Sequence, residues 1–405
     1  MAKLEDIVSL CKRRGFIFQG SDVYGGMAGT WDFGPLGVAL KRKIMQTWWK
    51  YWVEDREDML GVDAAIIMNP KTWVASGHAA TFADPLVECN ECHGRFRADK
   101  LAKTAEGHDL SANITKDQLI NAGIKCPTCG KINWGEVKQF NMMFETHVGA
   151  VSDETSIAYL RPETAQGIFT NYKNVVDNVY PDLPFGLAQQ GKAFRNEISP
   201  RDFIFRCREL EQMEIEYFVH PNDWERIFAE LLQDVHVFLE ETMQLPANMI
   251  HEYEVPADDR AHYSKRTVDI EFDFPIGSEE LMGIAYRTDF DLQNVARASG
   301  KNMEYRDKKT GESFVPHVIE PSFGVERLVM AVLSAAYHED EVNGEKRTVL
   351  KLPEAFAPFR FCVSPLLKNK PELVEKARTV YQILRKKYGN VTWDDSGNIG
   401  KRYHK

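Results

Sequence analysis

Long apolar runs, a secretion signal and an excess of positive charge are all missing from this chain of 405 residues. No apolar stretch approaches the roughly 20 residues that a membrane-spanning helix needs. The N-terminus, MAKLEDIVSLCKRRGF, carries charge from its third residue and does not match a signal peptide. We therefore expect a cytoplasmic protein that does not associate with a membrane.

The charge balance narrows the range of functions further. The formal net charge is −10, which excludes a non-specific nucleic-acid binder held by global positive charge. Local basic patches could still contact a nucleic acid. The length is sufficient for two or three domains with a substantial core.

Cysteine is scarce, but four of the seven cysteines form two Cys-x-x-Cys pairs, Cys89 with Cys92 and Cys126 with Cys129. Two such turns can bring four thiolates into the tetrahedral shell that Zn²⁺ prefers, and closed sites of this kind are structural. Without an export signal, a metal site is favoured over disulfides. The 33 residues between the pairs predict an embedded subdomain. The alternative is a pair of turns without metal.

The densest charge lies in the segment GKAFRNEISPRDFIFRCRELEQMEIEYF, residues 191–218. Two strand-like runs flank Ser199-Pro200, so the segment predicts an antiparallel hairpin. Planar guanidinium groups clamp phosphate oxygens and stack on bases, so the arginines here indicate a triphosphate site. A salt-bridged surface hairpin is an equally open alternative at this point.

The second strand of the hairpin alternates in character. Residues 212, 214 and 216 are Gln, Glu and Glu on one face, whereas 213, 215 and 217 are Met, Ile and Tyr on the other. If the carboxylate face borders a pocket, it would hold an ammonium group or a metal ion. The alternative is an ordinary half-exposed strand.

A long helix is predicted to begin at Gly34-Pro35 and to run over residues 36–60. Its apolar and aromatic stripe is broad, which indicates packing against a partner subunit or within one large core. An apolar strand over residues 62–68 is expected to end at Asn69-Pro70. His78, a lone histidine, is predicted to be structural.

Other elements follow from periodicity and turn residues. We predict helices over 4–16, 222–243 and 325–337, strands over 268–274, 280–287 and 315–320, and a turn at Pro321–Gly324. A last strand, helix and strand over 359–363, 371–388 and 391–393 indicate the start of an α/β domain. Too few residues follow to close its sheet, so we expect a chain truncated inside that domain.

Strand-ending Pro70, the hairpin around Arg195 and the turn at Gly324–Arg327 resemble, in order, motifs 1, 2 and 3 of class II aminoacyl-tRNA synthetases. The resemblance is specific to the homodimeric, glycine-specific members of that family. It covers nearly the whole chain and is carried by the segments GGMAGTWDFGPLG, SGH, LRPETAQGIF, GKAFRNEISPR, LEQMEIEYF, YRTDFDL, IEPSFGVER and DDSGNIGKRY.

The resemblance implies an α+β fold with an antiparallel sheet flanked by helices, here a catalytic domain over 1–345. A zinc-ribbon-like insertion over 86–158 and a helical insertion over 221–266 would lie within it. Residues 346–405 would be a partial anticodon-binding domain. A homodimer formed through motif 1 is also implied.

The implied activity is ATP-dependent attachment of glycine to tRNA(Gly) through a glycyl-adenylate, with ATP, Mg²⁺ and structural Zn²⁺ as cofactors. No side chain acts as a nucleophile in this scheme. Positioning and charge stabilisation supply the catalysis. Because glycine has no side chain, steric exclusion rejects larger amino acids and no editing domain is needed.

The resemblance also assigns residues. Arg195 would contact the α-phosphate, Phe205 would stack on adenine, and Arg327 would lie on the γ-phosphate side, with Glu280 as a plausible Mg²⁺ ligand. Arg97 would meet the glycine carboxylate. The catalytic residues implied are Arg195, Glu197 and Arg327. The implied ATP-binding residues are Arg195, Asn196, Glu197, Phe205, Arg206, Cys207, Arg208, Glu209, Leu210, Glu280, Leu281, Gly324, Val325, Glu326 and Arg327. The implied glycine-binding residues are Arg97, Glu163, Leu210, Glu211, Gln212, Met213, Glu214, Glu320, Pro321, Ser322, Phe323 and Gly324.

Three other functions are compatible with parts of the pattern. The first is a non-catalytic, synthetase-like nucleic-acid-binding or accessory subunit. The second is a zinc-ribbon module that binds nucleic acid. The third is another ATP-dependent amino-acid ligase on the same scaffold. The first usually lacks the motif arginines, whereas Arg195 and Arg327 are both present here.

Overall fold

The computed structural model describes residues 2–103, 114–150, 153, 156–342 and 344–403. Residues 104–113, inside the predicted insertion 86–158, lie outside the described part, as do His404 and Lys405 at the end of the predicted domain 346–405.

The strands and helices are numbered in chain order. The strands are β1 (Ile17–Gln19), β2 (Trp31–Phe33), β3 (Met59–Gly61), β4 (Ala83–Glu88), β5 (Arg95–Arg97), β6 (Lys138–Asn141), β7 (Phe144–His147), β8 (Ile157–Leu160), β9 (Phe185–Phe194), β10 (Glu209–Val219), β11 (Ile250–Glu254), β12 (Arg266–Phe274), β13 (Gly277–Thr288), β14 (Tyr305–Arg306), β15 (Ser313–Phe314), β16 (His317–Gly324), β17 (Tyr337–Val342), β18 (Glu345–Leu350), β19 (Phe361–Val363) and β20 (Val391–Trp393). The helices are α1 (Leu4–Arg14), α2 (Pro35–Trp49), α3 (Lys71–Ala75), α4 (His78–Thr81), α5 (Ala98–Lys103), α6 (Lys116–Asn121), α7 (Ala165–Val179), α8 (Trp224–Val237), α9 (Phe290–Ser299), α10 (Val325–Ala336), α11 (Pro371–Tyr388) and α12 (Ile399–Tyr403).

A seven-stranded sheet with the order β11-β12-β13-β16-β10-β9-β3 forms the centre of the molecule. Every neighbouring pair is antiparallel except β3 and β9, which run parallel. The predicted fold class, an antiparallel sheet flanked by helices, is therefore confirmed.

The two faces of this sheet carry separate apolar cores. Met213, Ile215 and Tyr217 of β10 belong to the larger core, which includes buried residues of α2, α8 and α10. Phe218 belongs to a smaller core with residues of α7 and α9. Because strand side chains alternate, Glu214 and Glu216 are turned toward the second side.

Two predicted boundaries in the first hundred residues are wrong. The helix over 36–60 ends earlier, since α2 stops at Trp49 and one wider turn covers Lys50–Glu54. The strand predicted over 62–68 is instead β3, which ends at Gly61. The chain then leaves the sheet, and the Ala64 carbonyl accepts a hydrogen bond from Arg161 Nη1 at 2.8 Å.

The hairpin is confirmed, but residues 195–208 form a long connection rather than a tight turn, and β10 begins only at Glu209. The predicted turn at Pro321–Gly324 is wrong because these residues continue β16. Pro321 lies opposite Ile284 and Ser322 lies opposite Gly283. The pairing of β16 with β10 is interrupted at Pro321, where proline has no N–H to donate, whereas the pairing with β13 continues through it.

The two predicted insertions differ in how they relate to the sheet. Strands β5, β4 and β6 form a separate three-stranded sheet with its own apolar cluster. In contrast, α8 packs its buried face, including Phe228, into the larger core, and β11 is the edge strand of the central sheet.

The C-terminal strand–helix–strand unit agrees with the prediction. Strands β19 and β20 are parallel neighbours, and α11 connects them. Within the residues that the structure describes, no helix combines the length and apolar character required to cross a bilayer.

Candidate active site

A cavity of about 310 Å³ opens between β10, β13, β16, the 195–208 connection and the start of α10. Sixteen of the predicted site residues line it: Glu163, Arg195, Glu197, Phe205, Arg206, Cys207, Leu210, Gln212, Glu214, Glu280, Leu281, Glu320, Ser322, Gly324, Glu326 and Arg327. The structure therefore brings together residues that lie more than 100 positions apart in the sequence.

Arg195 lies at the end of β9, where the strand delivers it to the cavity. Its Nε donates a hydrogen bond to the Pro162 carbonyl at 3.0 Å, and its guanidinium lies 5.7 Å from the centre of the Phe82 ring. These contacts fix the orientation of the side chain from the segment that precedes α7.

Arg327, in the first turn of α10, also lines the cavity. Its Nη1 lies 3.0 Å from a carboxylate oxygen of Glu280 and donates to the Glu280 carbonyl at 2.9 Å. Its guanidinium stacks over the Phe205 ring at 4.6 Å. The Arg327 charge lowers the pKa of Glu280 against the opposing effect of burial, so this carboxyl group is ionised.

The 195–208 connection is braced by its own charged residues. Arg208 donates to the Glu197 carbonyl from Nε at 3.2 Å and from Nη2 at 3.0 Å, and to the Ala28 carbonyl from Nη1 at 3.0 Å. Arg206 Nη1 lies 3.5 Å from the Glu197 carboxylate. Arg208 therefore supports the cavity wall instead of facing the interior.

Glu214 forms the floor of the cavity and is held from several sides. It accepts hydrogen bonds from the Thr164 backbone N–H at 2.8 Å and from the Thr164 hydroxyl. The Ser322 hydroxyl donates at 2.8 Å and Gln212 Nε2 at 2.9 Å. Burial and the nearby Glu163 raise the pKa of Glu214, although these hydrogen bonds partly offset the rise.

Glu163 lies beside Glu214 and pairs with His78. The Nε2 atom of His78 is 3.2 Å from the Glu163 carboxylate, and its Nδ1 is 2.8 Å from the Ser76 hydroxyl. Burial opposes ionisation of Glu163, but the attraction of His78, Arg287 and Arg195 prevails and lowers its pKa. The SGH segment therefore orients a charged carboxylate.

Glu320 is the third buried carboxylate of the acidic floor, and Arg287 is its cationic partner. Arg287 is 1% exposed and forms two hydrogen bonds to Asp291, from Nε at 2.8 Å and from Nη2 at 3.0 Å. Its Nη1 donates to Glu320 at 2.6 Å. Burial raises the pKa of Glu320 to about 8, with Arg287 opposing the rise and Glu214 adding to it.

Nine predicted site residues do not line the cavity: Arg97, Asn196, Arg208, Glu209, Glu211, Met213, Pro321, Phe323 and Val325. Strand alternation explains several, since residues 211, 213, 321 and 323 point away from the face that carries 212, 214, 320 and 322. Glu211 instead pairs with Lys41 at 2.5 Å. Phe323 and Val325 are fully buried in the larger core.

Arg97 lies outside the cavity lining. Its guanidinium pairs with Asp84 at 2.8 Å and with Asp99 at 2.6 Å. Its contact with a glycine carboxylate stays a prediction, and a contact of this kind would compete with these two carboxylates.

Sequence reasoning also missed residues that shape the site. The cavity is additionally lined by Ile204, Tyr263, Thr267, Asp269, Met282, Gly283 and Ala285. Arg287 and Asp291 could have been identified from the sequence, because both belong to the segment YRTDFDL and are four positions apart. Arg287 lies on β13 and Asp291 lies on α9. Tyr263 comes from a loop-rich stretch with no pattern to identify it.

Away from the cavity, the four cysteines of the two Cys-x-x-Cys pairs converge. Their sulfur atoms lie within 4.8 Å of one another, and Cys89 Sγ to Cys129 Sγ and Cys92 Sγ to Cys126 Sγ are each 3.6 Å. The set of four thiol donors fits a tetrahedral Zn²⁺ ion.

Comparison with known proteins agrees with this geometry. Residues 144–336 match the family described as tRNA synthetase class II core domain (G, H, P, S and T). The chain is 46% identical to the glycine–tRNA ligase of Malacoplasma penetrans over 99% of its length, covering 87% of that protein. It is 47% identical to the glycine–tRNA ligase of Streptomyces coelicolor over 100% of its length, covering 88% of that protein.

The chain belongs to the glycine–tRNA ligase family. Its activity is the ATP-dependent attachment of glycine to tRNA through a glycyl-adenylate. These matches favour this ligase over the three alternative functions.

A solved structure shows the same fold at low sequence identity. The prolyl-tRNA synthetase of Giardia lamblia, in complex with prolyl-adenylate, superposes with a TM-score of 0.66 and 13% identity. The match covers 99% of this chain and 66% of that one. This structural match therefore shows the class II synthetase fold of the chain independently of sequence similarity.

The buried Arg287 group predicts a large effect on stability. Arg287→Ala should lower the free energy of unfolding by about 3–5 kcal/mol, because it leaves Asp291 and Glu320 buried without their cation. Denaturant unfolding monitored by tryptophan fluorescence measures the change. The matched control is Arg226→Ala, which removes an exposed arginine from an i,i+4 pair with Glu230 and should leave the midpoint unchanged. Equal midpoints for both variants would contradict the assignment.

Proposed function

We propose that glycine activation takes place in the cavity between Arg195 and Arg327, with the nucleotide along the 195–208 connection and glycine on the acidic floor. The observation that carries this proposal is the convergence of two arginines, one after β9 and one in α10, on a cavity that is also lined by three buried glutamates, Glu163, Glu214 and Glu320.

On the nucleotide side, Arg195 would contact the α-phosphate and Phe205 would offer its ring face to adenine. The Phe205 face is covered by Arg327 at 4.6 Å, so the base would enter between the two groups and Arg327 would shift outward. An arginine suits this role because its planar group stacks on rings and its fork binds phosphate oxygens. Arg327 would then lie toward the γ-phosphate.

Mg²⁺ would bind on the same wall. Glu280 is ionised and already pairs with a cation, which supports its proposed role as an oxygen ligand. When Arg327 shifts to the nucleotide, the Glu280 carboxylate would need a new positive partner. A Mg²⁺ ion held by Glu280 would supply that positive charge.

On the amino-acid side, the glycine ammonium would lie among Glu163, Glu214 and Glu320, with Ser322 beside it. Its carboxylate would then face Arg195 and the α-phosphorus. In-line attack of this carboxylate releases pyrophosphate and forms the adenylate. The terminal adenosine hydroxyl of tRNA(Gly) then attacks the carbonyl carbon of the adenylate, which forms the glycyl ester and releases AMP. The residues act by positioning and charge stabilisation.

The first test removes the proposed phosphate contact. Arg195→Ala should lower glycine-dependent ATP–pyrophosphate exchange by about a hundred- to a thousandfold, since one preorganised charge is lost from the transition state. The control is Arg201→Ala, in the same connection but 62% exposed on its side chain and paired with Asp202. Near wild-type exchange by Arg195→Ala would refute the assigned role.

We further propose that the four cysteines hold one structural Zn²⁺ ion in a protein that works in the cytoplasm, where thiols stay reduced. Elemental analysis should give one zinc per chain. Cys126→Ser should lose the metal and make the insertion sensitive to proteases, because such sites stabilise small folds. Cys362→Ser, which changes an exposed cysteine elsewhere, should keep the zinc. Zinc retained by Cys126→Ser would overturn this proposal.

A homodimer is proposed on the surface around α2 and the loop before β2. Val23 and Tyr24 are 87% and 91% exposed there, beside a groove of about 700 Å³ whose lining includes Met27, Val38 and Met45. Exposed apolar side chains beside a groove of mixed polarity support an interface here.

Analytical ultracentrifugation tests the dimer directly. The chain should sediment as one species of about twice 46.3 kDa. Tyr24→Glu should shift it toward the monomer, because a charge at an interface lacks water and a partner. Ile383→Glu, on the exposed face of α11, serves as the control and should leave the mass unchanged. A monomeric wild-type chain at micromolar concentration would contradict the proposal.

A further inference from the structure

Glu216 lies in the middle of β10 on the same face as Glu214, and it is 0% exposed. Within the part of the chain that the structure describes, neither of its carboxyl oxygens has a hydrogen-bond partner. An ionised carboxylate in such a place is very costly, so a group of this kind keeps its proton. The proposed roles of the cavity residues leave Glu216 without a function.

The strand register places Glu216 opposite another glutamate. Glu214 lies opposite Ser322, and Tyr217 lies opposite Ile319. Because β10 and β16 are antiparallel, moving two residues forward from Glu214 and two residues back from Ser322 brings Glu216 opposite Glu320. Side chains in opposite positions are about 5 Å apart at Cβ, and two like charges at that distance in a buried site destabilise each other. One of the two carboxyl groups must hold a proton.

The other charged groups near Glu216 show which one holds it. Arg287 is the nearby cation, but it is bound to Asp291 and to one oxygen of Glu320. Glu214 and Asp291 add negative charge around Glu216. Burial first and Glu320 second raise the pKa of Glu216 well above its ordinary value. The proton therefore lies mainly on Glu216, whereas Glu320 has the cationic partner.

The remaining neighbours do not change this result. On the β9 side, Glu216 lies opposite Leu187, which carries no charge. Glu163 adds a further carboxylate to the cluster, and its charge is matched by His78 at 3.2 Å. The protonation of Glu216 is thus coupled above all to Glu320 across the sheet.

We propose that Glu216 is a positioning residue for glycine recognition, which shares a proton with Glu320 and so sets how strongly Glu320 attracts the substrate ammonium group. This inference rests on the proposed contact between Glu320 and that ammonium. Glu216 itself does not touch the substrate. The shared proton keeps the empty site from accumulating unpaired negative charge.

Substrate binding then exchanges one positive charge for another. The ammonium group arrives beside Glu320, the shared proton becomes dispensable, and it leaves to the solvent. Protons and glycine therefore compete. At low pH the pair is protonated and glycine binds weakly; as pH rises through the apparent pKa of the pair, the proton is lost and the KM for glycine falls.

The test is the pH profile of glycine KM in ATP–pyrophosphate exchange. Between about pH 6 and about pH 9, the wild-type KM should fall with rising pH by at most about tenfold per unit. Glu216→Gln leaves Glu320 as the only titrating member of the pair and removes the like charge across the sheet, so the fall in its glycine KM should move to lower pH. The KM for ATP should show no such difference. Glu252→Gln, an exposed carboxylate on edge strand β11 of the same sheet, should follow the wild-type profile.

The outcomes separate this inference from the proposed function. A Glu216→Gln profile that falls at the same pH as the wild-type profile would overturn the shared proton. Glu320→Gln, measured in the same assay, should raise the glycine KM at every pH. If it does so while the Glu216→Gln profile is unshifted, only the inference about Glu216 fails. If Glu320→Gln leaves the KM unchanged, the proposed ammonium contact fails.

A measurement on the wild-type protein avoids dependence on the folding of a variant. Calorimetric titration with glycine, in the presence of a non-hydrolysable ATP analogue, is run near neutral pH in two buffers of different ionisation enthalpy. The difference in heat gives the number of protons released. Release of a substantial fraction of one proton supports the exchange, whereas binding with no proton release overturns it.

Discussion

The acidic site depends on the ion pairs that the buried guanidinium group of Arg287 forms. It joins α9 through Asp291 and β16 through Glu320, and it stacks against Tyr263 at 3.8 Å and Phe169 at 5.2 Å. Charges removed from water are stable only when they are paired and fully hydrogen-bonded. Without this arginine, the carboxylates gathered below the cavity would repel one another and the floor would not persist as a fixed surface.

In the central sheet, one face of a strand packs into the apolar core and the other face carries the residues that line the cavity. Along β10, Met213, Ile215 and Tyr217 pack into the larger core, whereas Gln212 and Glu214 line the cavity. A strand can serve both purposes because successive side chains point to opposite faces. Packing of the apolar face restricts the motion of the backbone. Because the polar side chains are attached to the same backbone, their positions are fixed as well. Preorganised groups of this kind lose little entropy when a substrate binds.

This division explains how far the sequence could predict the site. The alternation within β10 predicted a carboxylate face correctly, and the arginines of the hairpin pointed to phosphate binding. The same alternation places Glu211 and Met213 on the other face of β10, so they do not line the cavity that Gln212 and Glu214 face.

Other features depend on contacts between distant segments, which no local pattern encodes. His78 was interpreted as a lone structural histidine, yet it meets Glu163, 85 positions further along the chain, at 3.2 Å. The strand predicted after α2 failed because Ala64 is drawn out of the sheet by Arg161, and the turn predicted at Pro321 failed because the neighbouring strand β13 extends the pairing. In each case a tertiary contact outweighed the local preference.

The rigidity of the floor bears directly on the choice of amino acid. Glu214 is fixed by the Thr164 backbone, by Ser322 and by Gln212, so it cannot retreat to admit a larger ligand without breaking several hydrogen bonds. If the ammonium group lies against this floor, any side chain on the α-carbon must find space beside Ser322 and Glu163. A site of fixed shape excludes a larger competitor through overlap, whereas it could reject a smaller one only through lost contacts worth about 1–3 kcal/mol. Glycine is the smallest amino acid, so overlap alone can supply the discrimination. Under the proposed placement of glycine, the buried charges that hold the floor in place would also be the source of its selectivity.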